Sequence, residues 1–210
     1  FAKNAQGLKD LFKLVSLSNI KYYAGGTTKI PRREIVAYRE NLLIGSACFN
    51  GEVFDTALTR SRDILNETVK FYDFIEVQPP SNYDYLVNIG DVSSLEHIKH
   101  IIKDIITAAD DEGKIVVATG DCHYLDPKDK IFRDVYIFGK TVGGGRHPLN
   151  PYKRERYFFS SPDQHFRTTR EMLDEFAFLG EEEAYEIVVT NTNKVLDMVE
   201  EIEVIIDTGG

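Results

Sequence analysis

Apolar residues recur at helical spacing near the N-terminus, where Leu8, Leu11, Phe12, Leu14 and Val15 predict an amphipathic helix over 5–19. Ala24-Gly25-Gly26-Thr27-Thr28 interrupts that pattern, and Pro31 can open a second helix running to Tyr38. Leu42-Leu43-Ile44-Gly45-Ser46 is a short apolar run between turn formers and predicts a buried strand. A helix is expected from Asp63 to Tyr72, followed by a strand at Phe74-Ile75-Glu76-Val77 that Pro79-Pro80 stops. Ser93 and Glu96 have the spacing of a capping box at the head of a long helix. Ile98, Ile101, Ile102, Ile105 and Ile106 keep one face of it apolar, and Gly113 is a fitting stop. Ile115-Val116-Val117-Ala118 then reads as another strand.

Helices that alternate with short, almost uniformly apolar strands imply parallel strands covered on both faces. The fold class expected is therefore α/β, as part of a barrel or a layered sheet. Past Lys130 the pattern weakens. Gly143-Gly144-Gly145 and the steps His147-Pro148 and Asn150-Pro151 mark a loop or linker, and Ser161-Pro162 opens another irregular piece. Helical patterns return over Thr169–Phe178 and Glu181–Glu201, the second acidic at its start, which suits the helix dipole. There is no internal repeat and no low-complexity segment.

Composition narrows this picture only a little. The chain has 210 residues, 42% hydrophobic and 28% charged, as in an ordinary soluble domain. No apolar run is long enough to span a bilayer, so no membrane partner is expected. Two cysteines, Cys48 and Cys122, cannot form a disulfide framework, and a reducing cytoplasm is the expected compartment. Phe1 enters almost directly into a helical pattern, which suggests a piece of something longer. The net charge of −9 is unevenly spread. Residues 181–210 carry nine acidic side chains and one lysine, whereas 128–170 hold ten Lys or Arg against four Asp or Glu. That basic stretch, with Lys153, Arg154 and Arg156, is a candidate for DNA phosphates; a solvated loop gives the same pattern.

The sharpest local cluster is Val117-Ala118-Thr119-Gly120-Asp121-Cys122-His123-Tyr124. If the segment is extended, Asp121 and His123 project to one side and Cys122 to the other. The end of a parallel strand is where α/β proteins place their sites, and a carboxylate beside an imidazole suits zinc or manganese. The same triplet also occurs in plain surface loops. Gly45-Ser46-Ala47-Cys48-Phe49-Asn50-Gly51-Glu52 likewise follows an apolar run, which would put Cys48 at the same end of the sheet. A thiolate is a good zinc ligand, and a free cysteine is also among the most commonly buried residues. Glu52 reads as a first-turn helix charge or as a residue reaching the site. His97 and His100 look like solvent-side or helix-packing residues, while His147 and His165 have no partner at ligand spacing. Gly143-Gly144-Gly145-Arg146 lacks the pattern and the preceding strand of a phosphate-binding loop.

Taken together these stretches resemble bacterial replicative DNA polymerase III α subunits of the PolC type. The resemblance is carried by Gly7-Leu8-Lys9-Asp10-Leu11-Phe12-Lys13-Leu14-Val15-Ser16, by Leu43–Cys48 with Gly51-Glu52, and by Val117–Leu125. It continues through His165-Phe166-Arg167-Thr168-Thr169, Met172-Leu173, Phe178-Leu179-Gly180 and Val189-Thr190-Asn191-Thr192. It implies the later part of a PHP (polymerase and histidinol phosphatase) domain over 1–140, a PHP-type (β/α) barrel in part. A linker over 141–165 and a helical segment leading to the polymerase palm over 166–210 would follow.

Cys48, Asp121 and His123 match that family's metal ligands, for Zn²⁺ or Mn²⁺, with Mg²⁺ serving the parent polymerase elsewhere. The family's His-x-His motif and exonuclease carboxylates would lie before Phe1, and its palm carboxylates after Gly210. DNA and replisome subunits would be partners through the parent protein. Apolar sheet edges left by a partial barrel would favour self-association of the fragment. The parent would synthesise DNA, with the PHP site serving phosphoester hydrolysis or proofreading and this chain alone inactive. A stand-alone metal-dependent phosphoesterase and a non-catalytic interaction module are the alternatives.

Overall fold

The computed structural model describes residues 1–139, 143, 147, 150 and 161–203. Helix α1 spans Ala5–Ile20, with the Asn4 side chain accepting from the Gly7 amide at its head. Two-residue strands β1 (Tyr23–Ala24) and β2 (Thr27–Thr28) follow as an antiparallel hairpin. Its turn is Gly25-Gly26, both at positive φ (60° and 80°), the conformation that a tight hairpin demands and that glycine adopts without strain. Next come α2 (Arg32–Ala37), α3 (Glu52–Thr59), α4 (Arg62–Lys70), β3 (Phe74–Val77), α5 (Asp84–Ile89), α6 (Leu95–Asp111) and β4 (Ile115–Ala118). The remaining helices are α7 (Lys130–Phe138), α8 (Thr169–Glu175), α9 (Glu181–Tyr185) and α10 (Asn191–Leu196).

Strands β3 and β4 are parallel, in register from Phe74 opposite Ile115 to Val77 opposite Ala118. Their side chains alternate between two cores. Ile75, Val77, Val116 and Ala118 face the main core with the buried isoleucines of α6, while Phe74 and Val117 join Leu43 and Val195 on the other face. Both faces are thus covered, as the uniformly apolar sequences require. Phe176, Ala184, Ile187 and Val188 belong to the main core, so the helices after Thr168 pack on the same body as α3, α4 and α6. The observed class is α/β. Among the described residues the parallel sheet has two strands and does not close into a barrel.

Several expectations are corrected in detail. Leu42–Ser46 forms no ladder; it meets β3 through one parallel bridge, Gly45 to Phe74. Side chains take the places of backbone partners there: the Ile44 amide donates to Asp73 Oδ2 (2.7 Å), and the Glu76 amide donates to Ser46 Oγ (2.8 Å). The cap of α6 is Ser94, not Ser93: with Leu95 as first helical residue, Ser94 Oγ accepts from the His97 amide, and Glu96 pairs with Lys99 instead. A true capping box joins Thr168 and Glu171 at the head of α8. The expected acidic helix ends at Leu196 rather than Glu201 and contains a wide π turn over Glu186–Thr190.

Directly after that wide turn, the buried Asn191 side chain donates to the Val116 carbonyl of β4 (2.9 Å). The sheet edges expected to drive self-association therefore have partners inside the chain, the 44–46 segment beside β3 and Asn191 beside β4. Replacing Asn191 with Ala should leave the Val116 carbonyl unmatched and cost about 1–3 kcal/mol. Urea denaturation of the two proteins measures that difference, and equal midpoints and slopes would show that Asn191 does not support the sheet.

Candidate metal-ligand cleft

The turn that carries Cys48 is held by β3 on one side and by its own backbone on the other. Glu76 Oε1 accepts from the Ala47 amide (3.3 Å), and the Gly51 amide donates to the Cys48 carbonyl (2.6 Å). A Cβ at Gly51 would lie 2.3 Å from the Ser46 carbonyl oxygen, so only glycine permits the turn that precedes α3. Behind it Phe49 packs edge-on to Tyr83 and Tyr85, and Tyr83 stacks on Phe54 with ring centroids 4.5 Å apart. Burial pushes the Tyr83 and Tyr85 hydroxyls far above the usual phenol range. These rings stay neutral and form a rigid wall.

The loop after β4 supplies the opposite side. The Thr119 amide continues the ladder by donating to the Val77 carbonyl (2.9 Å), and the buried Asn82 side chain donates to the Gly120 carbonyl (2.9 Å). Asp121 then adopts φ +47°, so the extended alternation expected for Asp121 and His123 is not what brings them together. The reversal of the chain does, placing His123 Nε2 3.5 Å from Asp121 Oδ1. Gln164 locks this arrangement: its Nε2 donates to Asp121 Oδ2 (2.7 Å) and its carbonyl accepts from the His123 amide (2.8 Å). Ala47 (φ 61°) and Asp121 are the two non-glycine residues at positive φ among those described, and they flank the two sides of one cleft. Strain of this kind, of order 1–2 kcal/mol each, persists where surrounding contacts over-determine the backbone.

The cleft has a volume of about 540 Å³, and Cys48, Asp121 and His123 all line it. Their chemistry, a thiol, a carboxylate and an imidazole, fits a zinc-type donor set. Among the described residues no three His, Cys, Asp or Glu side chains converge closely enough, as placed, to hold an ion together. Glu52 does not reach the cleft; it pairs with Arg32 and accepts from the Tyr72 hydroxyl. Cys122 is exposed and lies outside the lining. His147, which has no partner at ligand spacing in the sequence, lines the cleft and packs edge-on to Tyr136 of α7 at 5.5 Å. Gln164, Arg133 and Tyr85 also line it and carried no local signal in the sequence. Lys153, Arg154 and Arg156 lie outside the described residues.

Several curated proteins that match this chain share one name. DNA polymerase III PolC-type from Streptococcus pneumoniae strain D39 is 44% identical over 217 residues, covering 98% of this chain and 14% of that protein. The proteins of that name from Streptococcus thermophilus strain LMD-9 and Halalkalibacterium halodurans are each 45% identical with the same coverage. The chain is homologous to a segment of PolC-type DNA polymerase III. It spans about 14% of the length of the relatives it matches. No family model matches it. No helix among the described residues of this PolC-type segment is long and apolar enough to cross a membrane.

Two expectations test this geometry. Ala47→Gly removes the Cβ from a left-handed position and should raise stability by roughly 0.5–1 kcal/mol after the entropic cost of glycine; a thermal melt reads this as a higher midpoint. His147 should titrate below the ordinary histidine value, because burial, then Arg133 and His123, disfavour its charged form. Its folded value is depressed, so its contribution to stability is present above the unfolded value and lost as pH falls through the folded one. A proton NMR titration of the His147 ring measures the midpoint, and an ordinary value would separate His147 from the cleft.

Proposed function

We propose that this chain is part of a replicative, DNA-directed DNA polymerase and contributes a portion of a metal-binding PHP domain. The observation that carries the reading is 44% identity to PolC-type DNA polymerase III along 98% of the chain. In this reading Cys48, Asp121 and His123 hold Zn²⁺ or Mn²⁺ together with ligands from elsewhere in the parent protein, whose polymerase site uses Mg²⁺. A metal bound there supplies Lewis acidity and lowers the pKa of bound water, the chemistry of phosphoester hydrolysis in support of proofreading. The chain's own residues set the donors in place: Gln164 fixes the Asp121 carboxylate, and the aromatic wall of Tyr83 and Tyr85 limits water at Cys48.

The barrel is completed by the rest of the parent, with 1–140 as the later PHP part, 141–165 as connector and 166–210 leading toward the palm. DNA and other replisome proteins are the partners, in the cytoplasm, with Lys153, Arg154 and Arg156 on DNA phosphates. That no three such donors converge among the described residues favours one second reading, a structural module whose metal site is vestigial.

Metal titration of the full-length polymerase decides between them. Asp121→Ala and His123→Ala should each lower Zn²⁺ or Mn²⁺ affinity at least 10-fold, while nucleotide incorporation on a primed template stays within about twofold. Unchanged metal content in both variants would leave the structural module. The 210-residue chain itself should incorporate no nucleotide at any concentration tested. Reversing the charge of Lys153, Arg154 and Arg156 in the parent should flatten the salt dependence of DNA binding by roughly one log–log unit per lost phosphate contact. An unchanged slope would remove that stretch from the DNA path.

A further inference from the structure

We propose that the outer face of α7 is a docking surface for another domain of the parent polymerase, one that meets it with an apolar surface free of charges; this rests on the reading of the chain as part of a longer polymerase. Helix α7 is built inside out. Lys130, Arg133, Asp134 and Ile137 have the i, i+3, i+4, i+7 spacing of a core-facing stripe, yet three of these four are charged. Each is engaged inward. Lys130 Nζ lies 3.3 Å from Asp163 Oδ1, Asp134 Oδ1 accepts from the Ser161 amide (2.8 Å), Arg133 lines the cleft, and Ile137 is wholly buried. These contacts fix the rotation of the helix. They leave Ile131, Phe132, Val135 and Tyr136 together on the outside, 63%, 71%, 67% and 62% exposed. In α6, by contrast, the isoleucine stripe is the buried one.

Single exposed apolar residues are ordinary, but four on one side of a nine-residue helix form a patch of the kind that marks an interaction site. None of the four is charged, so nucleic acid, which is held through its phosphates, gains nothing from this face. Tyr136 ties the patch to the cleft. Its ring lies 5.8 Å from the Arg133 guanidinium and packs edge-on to His147 at 5.5 Å, and both of those residues line the cleft. A domain seated on α7 therefore bears on one wall of the candidate metal site.

Area decides between an independent partner and a tethered one. Two aromatic and two aliphatic side chains, each about two thirds exposed, present roughly 500 Å². Docking then buries about 1,000 Å² over both sides, below the roughly 1,200–2,000 Å² of independent stable complexes. Domains of one chain meet over about 600–1,500 Å². A tether also supplies an effective concentration in the millimolar range, which lets a contact of this size hold. A second copy of this chain would meet its twin over the same area without that help. The chain spans 14% of the length of the PolC-type relative it matches, so most of that polypeptide lies outside the corresponding segment.

Hydroxyl-radical footprinting of the full-length polymerase and of the 210-residue chain, read by mass spectrometry at Phe132 and Tyr136, tests this. Both rings are expected to label about 10-fold more slowly in the full-length protein, because a docked surface excludes water from them. Phe132→Glu should restore labelling of Tyr136 in the full-length protein and leave it unchanged in the 210-residue chain, with circular dichroism checking that both fold. Phe132→Ser, which adds no charge, should act in the same direction. Equal labelling of the two wild-type proteins overturns the proposal. So does protection already present in the 210-residue chain: where it grows with concentration and sedimentation shows a dimer, the face belongs to a second copy, and otherwise the chain covers it itself. Nucleotide incorporation by the same full-length preparation is measured alongside. An active polymerase with both rings fully labelled would sink the docking alone, and an inactive protein with both protected would sink the polymerase reading alone.

Discussion

Two short parallel strands leave a row of backbone donors and acceptors unmatched on each outer edge, and much of the molecule is arranged around that deficit. β3 is completed by the 44–46 segment, in which Asp73 and Ser46 side chains stand in for ladder partners. β4 receives Asn191, delivered directly after a π turn. Each of these partners is distant in sequence, so the sheet binds the N-terminal segment, the α6 layer and the C-terminal helices into one body. The alternating burial of Ile75, Val77, Val116 and Ala118 on one face and Phe74 and Val117 on the other adds an apolar core to each side.

The cleft follows from the same pairing. Because β3 and β4 run parallel, the segment before β3 and the loop after β4 meet the sheet where Glu76 and Val77 end it. Glu76 anchors the Cys48 turn through Ala47, and the Val77 carbonyl anchors the Asp121 loop through Thr119. Both segments pay for this closeness with a non-glycine residue at positive φ. Gln164 then ties the Asp121 loop to a third part of the chain. The chemistry of the cleft is set less by any one side chain than by the way these three segments are clamped.

Arg167 shows how firmly the clamp is fixed. Its guanidinium, almost wholly buried, donates to Glu175, to Ser81 and to the Asp163 carbonyl, joining α8, the exit from β3 and the approach to Gln164. All three of its nitrogens make hydrogen bonds within the chain, whereas the buried Nε of Arg133 has no acceptor.

The amino-acid sequence by itself determined the elements whose signal is local. The isoleucine stripe of α6 and the four-residue apolar runs of β3 and β4 appear at their expected places because periodicity depends only on neighbours; α1 forms over the expected residues, but it buries Gly7, Asp10, Leu14 and Ser18 while Leu11, Phe12 and Val15 of the predicted apolar face are exposed. The sequence also marked Cys48, Asp121 and His123 as candidate ligands and carried the PolC-type resemblance. What it did not determine was set by partners far along the chain. The irregular edge at Leu42–Ser46 depends on Asp73, and the π turn sits beside the contact of Asn191 with β4. The left-handed backbone at Asp121 is held by Gln164, 43 residues away. His147 and Arg133 enter the cleft only because α7 packs there, and no spacing rule connects residues that tertiary contacts alone bring together.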